Sequence, residues 1–189
     1  MSQLYVLTYD NDDPEHAGTV YPAIFRHYKD AKTTAFKLAK KFKNEASDDM
    51  QDNITIDQAE NENDEIESLT VCDYDAEFYF GHVDIHKINV DHDIKEAYIV
   101  GIAKDISDFD QSTKMHPIIY PAIFPFYENA RNTAMIIGRY YYAFAKSFYN
   151  HGVTSNVKQS LMNSEIESIT INLSCNVLMH LTIRHCVVK

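Results

Sequence analysis

The chain has 189 residues, of which 45% are hydrophobic and 24% charged, a composition typical of one globular domain or of two small halves that share a core. Its formal net charge of −11 repels nucleic acid and anionic membranes at a distance, so we expect neither as a partner. Three cysteines without a CxxC spacing argue against a disulfide framework or a zinc ribbon. With no signal-peptide pattern and no run of about eighteen apolar residues, a cytoplasmic protein is expected.

Two stretches of the sequence recur at almost the same offset. Tyr21–Phe25 (YPAIF) returns as Tyr120–Phe124, and Glu65–Val71 (EIESLTV) returns with conservative changes at Glu165–Ile171. Separated matches at one offset indicate an internal duplication, with repeats at 1–93 and 94–189 in a single domain.

The first repeat begins with an apolar run, Leu4–Tyr9, that predicts a strand. Pro22 then predicts the first turn of an amphipathic helix that ends near Asn44, because proline has no N–H to lose there. Alternating apolar and polar residues in 66–74 and 77–88 predict a hairpin with a turn at 75–76. The first repeat is therefore predicted to be β-α-β-β.

The second repeat has the same order of patterns. A strand is predicted at Tyr98–Ile102, and a helix from around Phe126, since Pro125 delays its start. A hairpin is predicted at 164–173 and 177–188. Together the repeats predict an α+β fold, with a mostly antiparallel sheet of about six strands and two long helices packed on one face.

The two predicted helices differ in their surfaces. Seven of the chain's 17 basic residues lie on the first helix, a pattern that favours a solvated face over a nucleic-acid surface: Arg26, Lys29, Lys32, Lys37, Lys40, Lys41 and Lys43. The second helix carries aromatic residues through Tyr140–Tyr149, typical of a subunit interface or of a tyrosine-rich core. We therefore expect a homo-oligomer.

The segment after the first helix is rich in acids. Residues 47–63 contain no aromatic side chain, so they bury too little apolar area to offset the cost of ordering. We expect this segment to be the most mobile part of the chain.

The strongest constellation for chemistry is His82-Val83-Asp84-Ile85-His86. Residues two apart in a strand share a face, so His82, Asp84 and His86 could bind a metal such as zinc on an uncovered sheet face. The alternative is the ordinary polar side of a half-exposed strand.

The same alternation predicts further side chains on this face as possible ligand contacts. Phe78, Phe80 and Leu178 would add apolar area to a ligand groove or partner surface, and His180 and Arg184 are the second repeat's contribution. An offset of 100 residues would also make Asp84 and Arg184 equivalent positions.

The sequence contains no catalytic motif and no phosphate-binding glycine pattern, so no cofactor is expected. It favours a non-enzymatic binding or interaction module that self-associates. The alternatives are a small metal- or ligand-dependent enzyme on the uncovered sheet face, and a nucleic-acid-associated protein using the basic helix. The repeated YPAIF motif is predicted to be structural, with Phe25 and Phe124 in the core.

Overall fold

A computed structural model of the chain describes residues 2–10, 19–47, 54–59, 65–73, 78–91, 93–105, 121–149, 151–159, 165–174 and 176–189. The chain divides into two compact units: unit 1 is Met1–Asp93 with Val188–Lys189, and unit 2 is Ile94–Val187. Both units have the same element order of two strands, one helix and three strands.

Unit 1 is an antiparallel sheet with one helix. Its elements are β1 (Ser2–Asp10), β2 (Thr19–Phe25), α1 (Tyr28–Ser47), β3 (Thr55–Ala59), β4 (Glu65–Asp73) and β5 (Phe78–Val90). The strand order is β3-β4-β5-β1-β2. At the end of the chain, the Lys189 N–H donates to the Ile24 carbonyl at 2.7 Å, and the Arg26 N–H donates to the Lys189 carbonyl at 2.8 Å. Lys189 is thus hydrogen-bonded to β2 and to the residue that follows it.

Unit 2 repeats this arrangement. Its elements are β6 (Glu96–Asp105), β7 (Ala122–Phe124), α2 (Tyr127–Tyr149), β8 (Val153–Gln159), β9 (Glu165–Leu173) and β10 (Asn176–Val188), in the strand order β8-β9-β10-β6-β7. The predicted α+β class, with two long helices on a mostly antiparallel sheet, is confirmed. Neither α1 nor α2 has the length and hydropathy that a helical membrane span requires.

Small residues on each helix allow a close approach to the sheet. In α1, Ala31, Ala35 and Ala39 are fully buried at intervals of one helical turn. The equivalent residues of α2 are Ala130, Ala134 and Gly138, an offset of 99. A Cβ at Gly138 would lie 3.0 Å from Ile169 Cγ2, closer than packed carbon atoms normally approach. The helix–sheet spacing of unit 2 therefore depends on this glycine.

The predicted number of six strands is wrong, because ten strands are present in the described residues. The missed strands are β2 and β7, which hold the YPAIF motif, and the edge strands β3 and β8. In the first copy the motif lies in a strand and α1 begins at Tyr28, so Pro22 does not occupy a helical first turn. Proline also fits extended backbone, with φ near −65°, at strand edges.

The motif places apolar side chains in the core from an extended backbone. Ile24 and Phe25 pair with Val6 and Tyr5 of β1 and are both buried, although neighbouring strand residues point to opposite faces. In the second copy, Ala122–Phe124 forms β7 and Phe124 is half-buried, while Tyr120 lies outside the described residues.

The predicted mobile segment contains β3. Thr55–Ala59 pairs with β4, and Ile54 beside it is buried. Ile54 and Ile56 alternate with polar residues, which is a strand pattern. The acid-rich composition of the surrounding residues favoured a mobile segment instead. The rest of this predicted segment, residues 48–53 and 60–63, lies outside the described residues.

Candidate functional site

Three polar side chains of β5 share one face of the unit 1 sheet. His82, Asp84 and His86 alternate with Val83 and Ile85, which are fully buried in the core beneath α1. Because alternate strand residues point to opposite faces, the three polar side chains lie on the face away from the helix, as the sequence predicted.

The part of this face that β1 contributes is covered. Val6 and Thr8 stand opposite His86 and Asp84 in the ladder and therefore share their face. Val6 is 0% exposed and Thr8 is 8% exposed, so the predicted open sheet surface is wrong at this point. A groove along β5 would have to lie on the side of β5 away from β1, toward β4.

On the β4 side, both ring nitrogens of His82 have partners. Asp84 Oδ1 lies 2.5 Å from Nε2 of His82 as an ion-pair contact without hydrogen-bond geometry, and the Ser68 hydroxyl lies 3.0 Å from the same nitrogen. The Thr70 hydroxyl lies 3.2 Å from Nδ1. The imidazole is thus held in place by a carboxylate and two hydroxyls, in a polar cluster on the face away from α1.

This cluster is not arranged for nucleophilic catalysis. In a serine–histidine–aspartate triad, the serine and the aspartate contact opposite nitrogens, so that the ring can relay a proton. Here the shorter contact of the Ser68 hydroxyl, 3.0 Å, is with Nε2 of His82, the nitrogen that Asp84 also approaches, and its distance to Nδ1 is 3.5 Å. Ser68 is also buried, which keeps a substrate carbonyl away from its hydroxyl.

His86 has a different partner. Its Nε2 lies 2.8 Å from the Thr8 hydroxyl. Within the part of the chain that the structure describes, no group of three His, Cys, Asp or Glu side chains could hold a metal ion. The metal site on His82, Asp84 and His86 therefore stays a prediction without support from the geometry.

The strand registers show which positions of the two units are equivalent. The matching cross-strand pairs are Thr70–His82 and Thr170–His180, Ser68–Asp84 and Ser168–Thr182, and Glu65–His86 and Glu165–Arg184. Arg184 thus corresponds to His86, and its predicted equivalence to Asp84 is wrong. The connection before β10 is two residues shorter than that before β5, which reduces the offset from 100 to 98.

The histidine recurs in unit 2, but the carboxylate beside it does not. His180 stands opposite Thr170, while threonine replaces Asp84 at position 182. Arg184 is buried and pairs with Glu165, with 3.3 Å between Nη2 and Oε2.

The apolar residues predicted to line this face belong elsewhere. The ladder shifts by one residue at Phe80 in β5 and again at Leu178 in β10. A β-bulge reverses the side-chain alternation beyond it. Phe80 and Leu178 therefore pack into the core clusters of their own units, beneath the helices. The side chain of Phe78 lies outside the described residues.

The cysteine of β10 does not form a thiol–imidazole pair with its neighbour. Cys186 is fully buried, and desolvation raises the pKa of its thiol to about 11. His185 instead contacts Glu96, with 3.2 Å between Nε2 and Oε2. A thiol that is neutral at physiological pH is not a nucleophile.

The most enclosed charged group of unit 1 is a glutamate beneath the start of α1. Glu67 is 0% exposed, and the Tyr28 hydroxyl donates a hydrogen bond to its Oε2. Lys32 lies one helical turn after Tyr28, and its Nζ lies 2.8 Å from Oε1 of Glu67. The two atoms form an ion pair, but their angles do not meet the criteria of a hydrogen bond. We call Tyr28, Lys32 and Glu67 the first trio.

Unit 2 contains the same arrangement. The Tyr127 hydroxyl donates to Oε2 of Glu167 at 2.6 Å, and Nε of Arg131 donates to the same oxygen at 3.0 Å. Glu167 is 1% exposed, and its Oε1 has no hydrogen-bond partner among the described residues. Tyr127, Arg131 and Glu167 form the second trio.

The trios shift the acid–base properties of their members. Burial raises the pKa of Tyr28, and its hydrogen bond to Glu67 raises it further. The hydrogen bond with Glu67 also raises the pKa of Lys32. The same causes raise the pKa of Tyr127 and of Arg131. Each phenol therefore stays neutral, and each base stays charged, at neutral pH.

The trios are suited to fixing the helix on the sheet rather than to chemistry. Each carboxylate is buried beneath two side chains of α1 or α2, so a substrate cannot reach either glutamate as a general base. The sequence analysis missed them, although a signal was present. Glu67 is in phase with Leu69 and Val71 on the core-facing side of β4, where a charge requires a partner.

No family model matches the chain, and neither does any curated protein or solved structure.

Proposed function

We propose that the chain is a non-enzymatic interaction module, built by internal duplication of residues 1–93 and 94–189, that self-associates through the outward side of α2. The duplication is supported by the two trios, by the common element order and by β-bulges at equivalent positions in both units. The self-association is supported by a row of apolar side chains on the outward side of α2.

Four apolar residues spaced one helical turn apart form a ridge along α2. We call Ile136, Tyr140, Phe144 and Phe148 the aromatic ridge. Ile136 is 61% and Phe148 64% exposed, and the rings of Phe144 and Phe148 stack with centroids 6.4 Å apart. Rows of residues four apart are the ridges by which helices interdigitate.

The equivalent row of α1 is charged. Lys37, Lys41 and Glu45 correspond to the first three ridge residues, and Lys41 pairs with Glu45 at 3.5 Å. The same fold position thus accepts charge in unit 1, so the fold does not require apolar side chains there. Burying each exposed ridge side chain against a partner would contribute about 1.5–3 kcal/mol.

A second copy of the chain is the partner that we propose. An apolar row on one helix can pack against the identical row of another copy around a two-fold axis, the commonest symmetry of soluble oligomers. Aromatic residues are also enriched in interface cores.

The test is the mass of the protein in solution. Light scattering on wild type should give more than the 21.8 kDa of one chain, rising with concentration. The double variant Ile136→Lys/Phe148→Asp copies the residues of the first repeat and should give the mass of one chain. Val187→Thr removes another exposed apolar side chain away from the ridge and should leave association unchanged.

Two results would contradict the proposal. One is a wild-type mass of a single chain at every working concentration. The other is a double variant that associates as wild type does. The alternative of a ligand- or metal-dependent enzyme on His82, Asp84 and His86 has no comparable observation in its favour.

A further inference from the structure

A shallow cavity of about 450 Å³ runs along the outer side of α1. Its lining residues, which repeat at three and four positions along the helix, are Lys29, Lys32, Thr33, Phe36, Lys37 and Lys40. Four of the six are lysines, and none is acidic. We call this cavity the lysine groove.

Among the described residues, three of these lysines have no ion-pair partner. Lys32 is paired with Glu67, but none of the ion pairs among the described residues includes Lys29, Lys37 or Lys40. Like charges three positions apart on a helix destabilise it, and Lys37 and Lys40 have that spacing. An anion bound between them would relieve the repulsion.

The equivalent positions of α2 are not basic as a group. Glu128 stands in place of Lys29 and Ile136 in place of Lys37, while basic residues remain at Arg131 and Arg139. The positive groove is therefore a feature of the first unit and not a requirement of the shared fold. Its concentration of charge also contrasts with the net charge of −11.

An aromatic ring forms the apolar part of the groove. Phe36 is half-buried, with Nζ of Lys32 lying 5.9 Å from its ring centroid. The Thr33 hydroxyl donates to the Lys29 carbonyl at 2.7 Å, and Phe36 is the one apolar residue among the six that line the groove. Aromatic rings stack on nucleobases with little sequence preference.

We propose that the lysine groove binds a small phosphorylated ligand with a planar ring, of the nucleotide class. Lysines are common phosphate ligands, and the ring would stack on Phe36. The volume lies within the range of small-molecule sites.

A long nucleic acid fits the charges less well than a small ligand does. The acidic remainder of the chain repels an extended polyanion over a Debye length of about 10 Å. A mononucleotide is small enough that its main electrostatic interactions are with the nearby lysines. This proposal does not depend on self-association, because the groove and the aromatic ridge lie on different helices.

The test is a titration of the full chain with fluorescent mant-ADP at low ionic strength, with pyrophosphate as a competitor. Saturable binding is expected. The variant Lys37→Gln/Lys40→Gln should weaken it about tenfold or more, since each lost phosphate contact is charge-assisted. The control Lys41→Gln/Lys43→Gln removes the same charge from the same helix outside the groove and should keep the wild-type affinity.

The ring contact is tested by Phe36→Leu, which keeps an apolar side chain against the core. Mant-ADP affinity should fall about fivefold or more, while pyrophosphate affinity should stay constant. Circular dichroism of each variant checks that the fold is intact.

Three outcomes would overturn the proposal. They are an absence of saturable mant-ADP binding, an equal loss in both lysine double variants, and a preference for a single-stranded oligonucleotide that both variants weaken alike. The last would identify a diffuse nucleic-acid surface instead of a site.

Discussion

The buried charge of Glu67 predicts that its lysine partner is important for stability. Lys32→Met keeps most of the aliphatic stem and removes the ammonium that lies 2.8 Å from Oε1. Removing one partner of a buried ion pair costs about 3–5 kcal/mol, because the other charge stays buried and uncompensated. The Lys32 side chain is 34% exposed and the Tyr28 hydrogen bond remains, so we expect about 2–3 kcal/mol.

The measurement is the free energy of unfolding from urea denaturation at neutral pH. Lys37→Met is the matched control, with the same substitution on the same helix at an exposed position, and it should change stability by less than about 0.5 kcal/mol. Arg131→Met in the second trio should be destabilising in the same way. Its loss should be somewhat smaller, since the Arg131 side chain is 40% exposed.

A Lys32→Met variant within about 0.5 kcal/mol of wild type would refute this reasoning. It would mean that Glu67 does not need the Lys32 cation, because other groups such as the Tyr28 hydroxyl stabilise its carboxylate sufficiently. The first trio would then not be a device that fixes α1 on the sheet.

Three further predictions follow from burial. The folded-state pKa of Tyr28 is raised above the ordinary value of 10.0, so the stability that its neutral phenol contributes is complete below pH 10.0 and is lost as pH rises through the folded-state pKa. Tyr28→Phe should therefore lose less unfolding free energy than wild type when denaturation is measured at increasing alkaline pH. Cys186, with a thiol pKa of about 11, should stay unlabelled by iodoacetamide at pH 8 in the folded protein and react after unfolding, and rapid labelling would contradict its burial. Phe25→Ala should cost about 3–5 kcal/mol in unfolding free energy and Phe124→Ala less, because Phe124 is only half-buried; equal costs would show that burial does not set the difference.

The hairpins and helices could be predicted because their hydrophobic periodicity is strong. In β5, Val83 and Ile85 alternate with polar residues, and in α1 the buried alanines recur at every fourth position. The missed strands lack such a signal. β8 is exposed at six of its seven positions, so no buried face marks its period in the sequence. In β2, the proline of YPAIF resembled a helix start.

The candidate site was predicted in part. Strand alternation placed His82, Asp84 and His86 on one face, but it failed for Phe80, where a bulge shifts the phase by one residue. An isolated glycine within a strand can mark a bulge, and Gly81 stands next to this one, but the equivalent bulge at Leu178 has no glycine beside it. The trios depend on contacts between a helix and a strand about forty residues later in the chain. A repeated motif can suggest that both segments are important, but the sequence does not show which residue of the helix contacts which residue of the strand.

The hydrogen bonds between Lys189 and β2 have a consequence for the order of folding. During translation, β1 to β5 leave the ribosome long before residue 189, so the Ile24 carbonyl and the Arg26 amide gain these partners only once residue 189 has been synthesised. Contacts of such large sequence separation slow folding, because a long loop must be closed before they form. A fragment that ends at residue 93 would lack these bonds altogether, and unit 1 is complete only when synthesis has passed residue 189.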